Sequence, residues 1–207
     1  MEIKYNFQSV DKKDEKSLIE KINALSATAW FDEKNSSLKT ADLCFYENFK
    51  LLQATSFDPI PPLTMRYLVG GCAPDWTVIK LDGSNKPIFY NNEKAGLVLN
   101  EETIIEYARF VLDSVMTEEG PMRLVETVAE DAFTREPTPE QREELIRLVR
   151  PAIVKKTKDG FDLDAIILYG DKVYRAEIDV LSNNGFLTII SEELLAEDMP
   201  VYPIFLE

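Results

Sequence analysis

Residues 153–191 read IVKKTKDGFDLDAIILYGDKVYRAEIDVLSNNGFLTIIS. Glycine-bearing turns at Asp159-Gly160, Gly170-Asp171 and Asn184-Gly185 separate runs of Ile, Val, Leu, Tyr and Phe that alternate in polarity, the pattern of hairpin-linked strands with one buried side. The stretch predicts a four-stranded antiparallel meander. A two-residue turn fixes which residues face each other. A Gly170-Asp171 loop therefore sets Ile167 against Tyr174, Ala165 against Ala176, Leu163 against Ile178 and Phe161 against Val180, and that face is wholly apolar. The next hairpin has either a two-residue Asn184-Gly185 loop or a four-residue loop from Ser182 to Gly185. Both place Leu187 and Ile189 on the side of Val180.

On the opposite face the same register sets Asp164 against Glu177 and Asp162 against Asp179. Like charges across a strand pair cost a few tenths to about 1 kcal/mol, and mutual repulsion is expected to raise the carboxyl pKa values. Arg175 shares this face, and a two-residue Asp159-Gly160 turn brings Lys155 opposite Asp164, so two cations meet four acids. Asp162, Asp164, Glu177 and Asp179 are the candidate metal ligands, since calcium and magnesium prefer hard oxygen donors. They do not follow the spacing of the EF-hand calcium loop, and a flat strand face seldom wraps a cation. A solvated acidic ladder is the plainer reading.

The whole chain of 207 residues carries 23 Lys and Arg against 37 Asp and Glu, a formal charge of -14. Such a surface repels phosphate backbones and anionic lipid, so neither nucleic acid nor a membrane is an expected partner. No apolar run approaches the ~18 residues of a spanning helix. A single domain is expected, with a possible internal boundary near residues 134–139. Two cysteines, Cys44 and Cys72, are too few for a disulfide scaffold and read as small apolar residues, and the N-terminus lacks an apolar signal core; a reducing cytoplasm is the expected setting.

There is no histidine. Its absence excludes Ser-His-Asp and Cys-His catalysis and histidine-ligated zinc, copper or iron. The acidic pairs Glu101 and Glu102, Glu118 and Glu119, and Glu130 and Asp131 remain, but pairs of this kind arise by chance among so many acids. No catalytic residue and no cofactor is assigned. Gly70-Gly71 lacks the spacing of a phosphate loop.

Elsewhere, apolar residues at helical spacing predict helices near 13–27 (Leu18, Ile19, Ile22, Leu25), 101–116 with Asn100 as cap, and 139–149 with Thr138, Pro139 and Gln141 forming a capping box. Strands are expected at 3–7, 65–69, 76–81 and 87–90, with 124–128 leaning to strand and 30–40 reading as loop. Phe45, Tyr46, Phe49, Leu51 and Leu52 read as core. Asp58-Pro59-Ile60-Pro61-Pro62 reads as a stiff connection or cis-proline turn rather than a polyproline ligand. After Ser191 a short turn of helix through Leu194 and Leu195 is expected, and the apolar tail Val201–Leu206 is a candidate interface strand for a homodimer.

These features predict an α+β fold: an antiparallel β-sheet, made of the C-terminal four-stranded meander plus N-terminal hairpins, packed with about three helices. The expected function is that of a non-catalytic, cytoplasmic protein-binding or regulatory module whose acidic surface suits a basic partner. The rival is a small-molecule-binding protein or a histidine-independent enzyme whose pocket is assembled from scattered residues.

Overall fold

In the computed structural model, residues 5–128 and 137–199 are described, and they form an α+β fold with two antiparallel sheets and helices. The chain divides into two compact units, residues 5–82 with 86–98, and residues 83–85 with 99 onward. Residues 137–139, the described part of the connection at 134–139, lie inside the second unit. Among the described residues no helix is long and apolar enough to cross a membrane.

The first unit contains β1 (Gln8–Ser9), α1 (Lys12–Asn23), β2 (Ser36–Asp42), β3 (Phe49–Ser56), β4 (Leu63–Gly70), β5 (Thr77–Lys80), α2 (Lys86–Phe89) and α3 (Asn92–Ala95), with its five strands in sequential antiparallel order. Leu18, Ile19 and Ile22 recur on one side of α1 and pack against Leu38, Leu52, Ala54, Tyr67 and Val69 of the sheet. Each such side chain removed from water contributes about 1.5–3 kcal/mol. The expected aromatic core is present, with Phe45, Tyr46, Phe49, Leu51 and Leu52 all buried. Three expectations are corrected. Residues 36–42 are a strand rather than loop, residues 86–89 are helix rather than strand, and Cys44 and Cys72 are exposed rather than packed. The Ile60-Pro61 bond is cis, the turn alternative of the proline stretch.

The second unit contains α4 (Ile104–Ser114), β6 (Met116–Thr117), β7 (Gly120–Leu124), α5 (Pro139–Leu148), β8 (Ile153–Lys156), β9 (Gly160–Tyr169), β10 (Lys172–Leu181) and β11 (Leu187–Ala196). Its sheet runs β11-β10-β9-β7-β6, with β8 pairing the other end of β9's edge. The meander is therefore β8-β9-β10-β11, as the turns predict. Ile104, Tyr107, Ala108 and Val111 recur at helical spacing and are buried, and the Tyr107 hydroxyl donates to the Gly185 carbonyl at 2.7 Å. Asn100 does not cap α4 itself. Its side chain accepts from the amides of Glu102 and Thr103, closing a turn that precedes Thr103, the N-cap. The capping box of α5 forms as expected, with Gln141 N–H donating to Thr138 Oγ1 at 3.2 Å and Thr138 N–H donating to Gln141 Oε1 at 3.0 Å. Of the expected strand 3–7, residues 3–4 lie outside the described residues and 5–7 are not strand, β1 being Gln8–Ser9, and of 124–128 only Leu124 is strand; the tail beyond 199 lies outside the described residues, as do Glu130 and Asp131.

The β9–β10 register is the expected one at every paired position, from Ile167 opposite Tyr174 to Phe161 opposite Val180. The β10–β11 connection is the four-residue loop, since Val180 faces Leu187 and Ile178 faces Ile189. Two differences follow the ends of the meander. The β8–β9 turn is Lys158-Asp159, so Lys155 faces Asp162 and Ile153 faces Asp164. At the other end β11 continues as strand to Ala196, where a helical turn was expected, through bulges that leave Ile190 and Leu195 unpaired in register.

Gly160 thus belongs to β9 and not to a turn. A Cβ there would stand 1.9 Å from the Val180 carbonyl oxygen, a backbone atom that cannot swing aside. An ion network centred on the buried Arg109 braces the same unit, where Arg109 on α4 donates to the half-buried Glu106 Oε1 at 2.7 Å and to the half-buried Glu126 Oε2, and Glu126 Oε1 accepts from the Ala152 amide at 3.1 Å. Gly160→Ala is expected to cost at least about 2 kcal/mol, since overpacking against fixed atoms must move backbone. Glu126→Ala, which strips the nearly buried Arg109 of a counter-charge, should cost about 3 kcal/mol. Urea unfolding of both variants measures these losses; a change below 1 kcal/mol in either would contradict the contact it tests.

Candidate functional site

Facing residues across antiparallel strands share a side of the sheet, so the register lays out one face of the meander in rows. The first row is Lys155, Asp162, Asp179 and Thr188, and the second is Ile153, Asp164, Glu177 and Ser191 with the bulge residue Ile190 beside it. Further along, Arg175 stands opposite Glu193, and then the face turns apolar with Ile166, Leu168, Val173 and Ala196. The apolar end is covered. Leu145 of α5 and Met199 pack on Ile166, Leu168 and Val173. The acidic rows lie beyond that cover, where Asp162 and Glu177 are exposed and Asp164 and Asp179 half-buried.

A groove of about 400 Å³ runs over these rows, lined by Ile153, Lys155, Asp162, Asp164, Glu177, Asp179 and Ile190 together with Leu163 and Ile178. All four sequence-predicted acids are therefore brought to one place. They do not converge on a point: among the described residues no group of three or more acidic or thiol side chains is arranged to hold a metal ion. The four differ in their partners. Asp164 is held by a fork from Arg175, with Nε at 2.9 Å from Oδ1 and Nη2 at 2.8 Å from Oδ2, and by Arg150 Nη2 at 3.0 Å. Glu177 Oε2 accepts from the Ser191 hydroxyl at 3.0 Å. Asp162 and Asp179 form no ion pair among the described residues, and the Lys155 ammonium, though opposite Asp162 in register, does not close one.

The expected upward shift of the carboxyl pKa values is reversed at Asp164. Its hydrogen bonds from the Arg175 guanidinium lower the pKa below the usual carboxylate value, with Arg150 adding to that effect and partial burial opposing it. Arg150, Ile153, Ile190 and Ser191 were not legible as members of this site. Arg150 reaches Asp164 from the end of α5, and Ile190 is placed by a bulge, which breaks the two-residue period.

Other hollows lie elsewhere among the described residues. One of about 330 Å³ in the first unit gathers Asp11, Asp14, Thr40, Lys50, Gly70 and Trp76. Another of about 470 Å³ gathers Asn100, Glu101, Glu102, Lys156, Phe161 and Ser182. Glu118 and Glu119 form the loop between β6 and β7.

Because the folded pKa of Asp164 lies below its unfolded value of about 3.9, its ionised form stabilises the fold at neutral pH, and that contribution disappears as pH falls through the lowered value. Asp164→Asn should therefore cost about 1 kcal/mol at pH 7, the upper range for a partly exposed pair. The gap from the parent chain should close below about pH 4. Urea unfolding at pH 7 and pH 3 measures both, and a gap unchanged between them would contradict the assignment. Comparisons with protein-family models, with curated proteins and with solved structures find no match for this chain.

Proposed function

We propose that the protein is a non-catalytic binding module for another protein, that its second unit carries the binding, and that its partner presents a basic segment. The observation behind this is a division of charge. Counted over the sequence, residues 5–82 and 86–98 carry 11 basic and 12 acidic residues (11 − 12 = −1), while the remainder carries 12 and 25 (12 − 25 = −13). Nearly all of the excess charge therefore resides on the unit that bears the acidic groove. A one-signed field of this kind steers an oppositely charged partner and rejects like-charged ones, and a catalytic site built on histidine is excluded by composition. A cytoplasmic setting is part of the proposal, supported by the exposure of both Cys44 and Cys72, since exposed thiols persist where glutathione keeps them reduced.

Fluorescence anisotropy of the full chain against basic, neutral and acidic peptides of mixed apolar content at about 0.15 M salt tests this. Basic peptides are expected to bind, more weakly as salt rises, and acidic ones not at all. Absence of binding to every basic peptide, together with a thermal shift of the chain by a small molecule, would replace this reading with that of a small-molecule binder.

A further inference from the structure

Resting on that reading, we infer that the partner segment is an extended chain lying across the open rows of the meander face, with apolar side chains against Ile153 and Ile190 and a Lys or Arg between them over the carboxylates. Ile153 is 56% and Ile190 63% exposed, and each stands at a rim of the same groove. Ile153 lies on β8 and Ile190 on β11, the outer strands of four neighbours. Three strand spacings separate them, roughly 14 Å. An extended chain rises about 3.3 Å per residue and points alternate side chains to one side. Side chains at i and i+4 therefore span the two isoleucines, and the side chain at i+2 descends onto the middle strands.

The middle strands offer Asp162 and Asp179 in one row and Asp164 and Glu177 in the next. Arg150 and Arg175 already occupy Asp164. The negative charge left for an incoming cation is that of Asp162, Asp179 and Glu177, with Lys155 as the sole cation of the groove lining. This is charge complementarity toward a basic side chain flanked by two apolar ones. The second unit of another copy does not fit, because it carries the same −13 excess and is repelled. Nucleic acid is excluded on the same ground.

The test uses the full-length chain and labelled peptides with Leu at i and i+4 and Arg at i+2, polar elsewhere, with versions carrying Glu at i+2 or the second Leu at i+3. The Arg peptide with i and i+4 spacing is expected to bind best, the i+3 version more weakly, and the Glu version not detectably. Ile153→Ser and Ile190→Ser should each weaken binding about fivefold, the loss of part of one isoleucine's buried area. Asp179→Asn should weaken it and flatten the salt dependence. Thermal melts of the three variants, all at exposed or half-buried positions, check that each remains folded. Unchanged affinity in all three folded variants, with basic peptides still bound, would overturn this docking face while leaving the binding reading in place. Equal binding of the Glu and Arg peptides would overturn both.

Discussion

The two-residue turn at Gly170-Asp171 is the constraint on which the second unit depends. Tyr169 pairs with Lys172 across it, and Gly170 takes a φ of 56°, a left-handed value that glycine adopts without the penalty a side chain would incur. With the turn fixed, every β9 side chain is assigned to a face. A slip of one residue would send Leu163 toward solvent and turn Asp162 and Asp164 into the core. The same constraint that builds the apolar core also forces four acids into facing positions on the other side. The ladder is a consequence of the register and needs no separate cause.

What offsets the ladder is local. Arg175 sits on the same face one pairing beyond Glu177, and α5 ends where Arg150 can reach Asp164. A forked guanidinium meets a carboxylate with two parallel hydrogen bonds, so Asp164, though not Glu177, is neutralised within the fold. The first row is not, and Asp162 still faces Asp179. That pair costs a few tenths to about 1 kcal/mol, a small loss beside the buried apolar face beneath it.

The pattern of what was legible follows from the range of the interactions. The meander, its β9–β10 register and the capping box of α5 were readable because turn residues and caps act over a few positions. The strand at Ser36–Asp42 was not, because its polar residues pair with β3 through backbone bonds that composition does not report. The helix at Lys86–Phe89 was mistaken for strand because an apolar stretch of four carries no usable period. Ser191–Ala196, with its glutamates and leucines, favours helix locally, and pairing with β10 overrides that preference. For the site, the acids could be placed by register alone. Arg150 could not, since its contact with Asp164 depends on where α5 docks.

The way β11 is built bears on where a partner can add. Among the described residues it is an edge strand, and an open edge invites another strand to pair with its free backbone groups. Two bulges, at Ile190 and Leu195, interrupt its ladder with β10 and increase its twist, and Glu192 and Glu193 are exposed on it. These are the features by which natural sheets blunt their edges. The bulge at Ile190 does a second thing, because it leaves that isoleucine at the rim of the groove. One irregularity therefore interrupts the edge ladder and leaves an exposed isoleucine on the face, which suits the face better than the edge to the docking proposed for it.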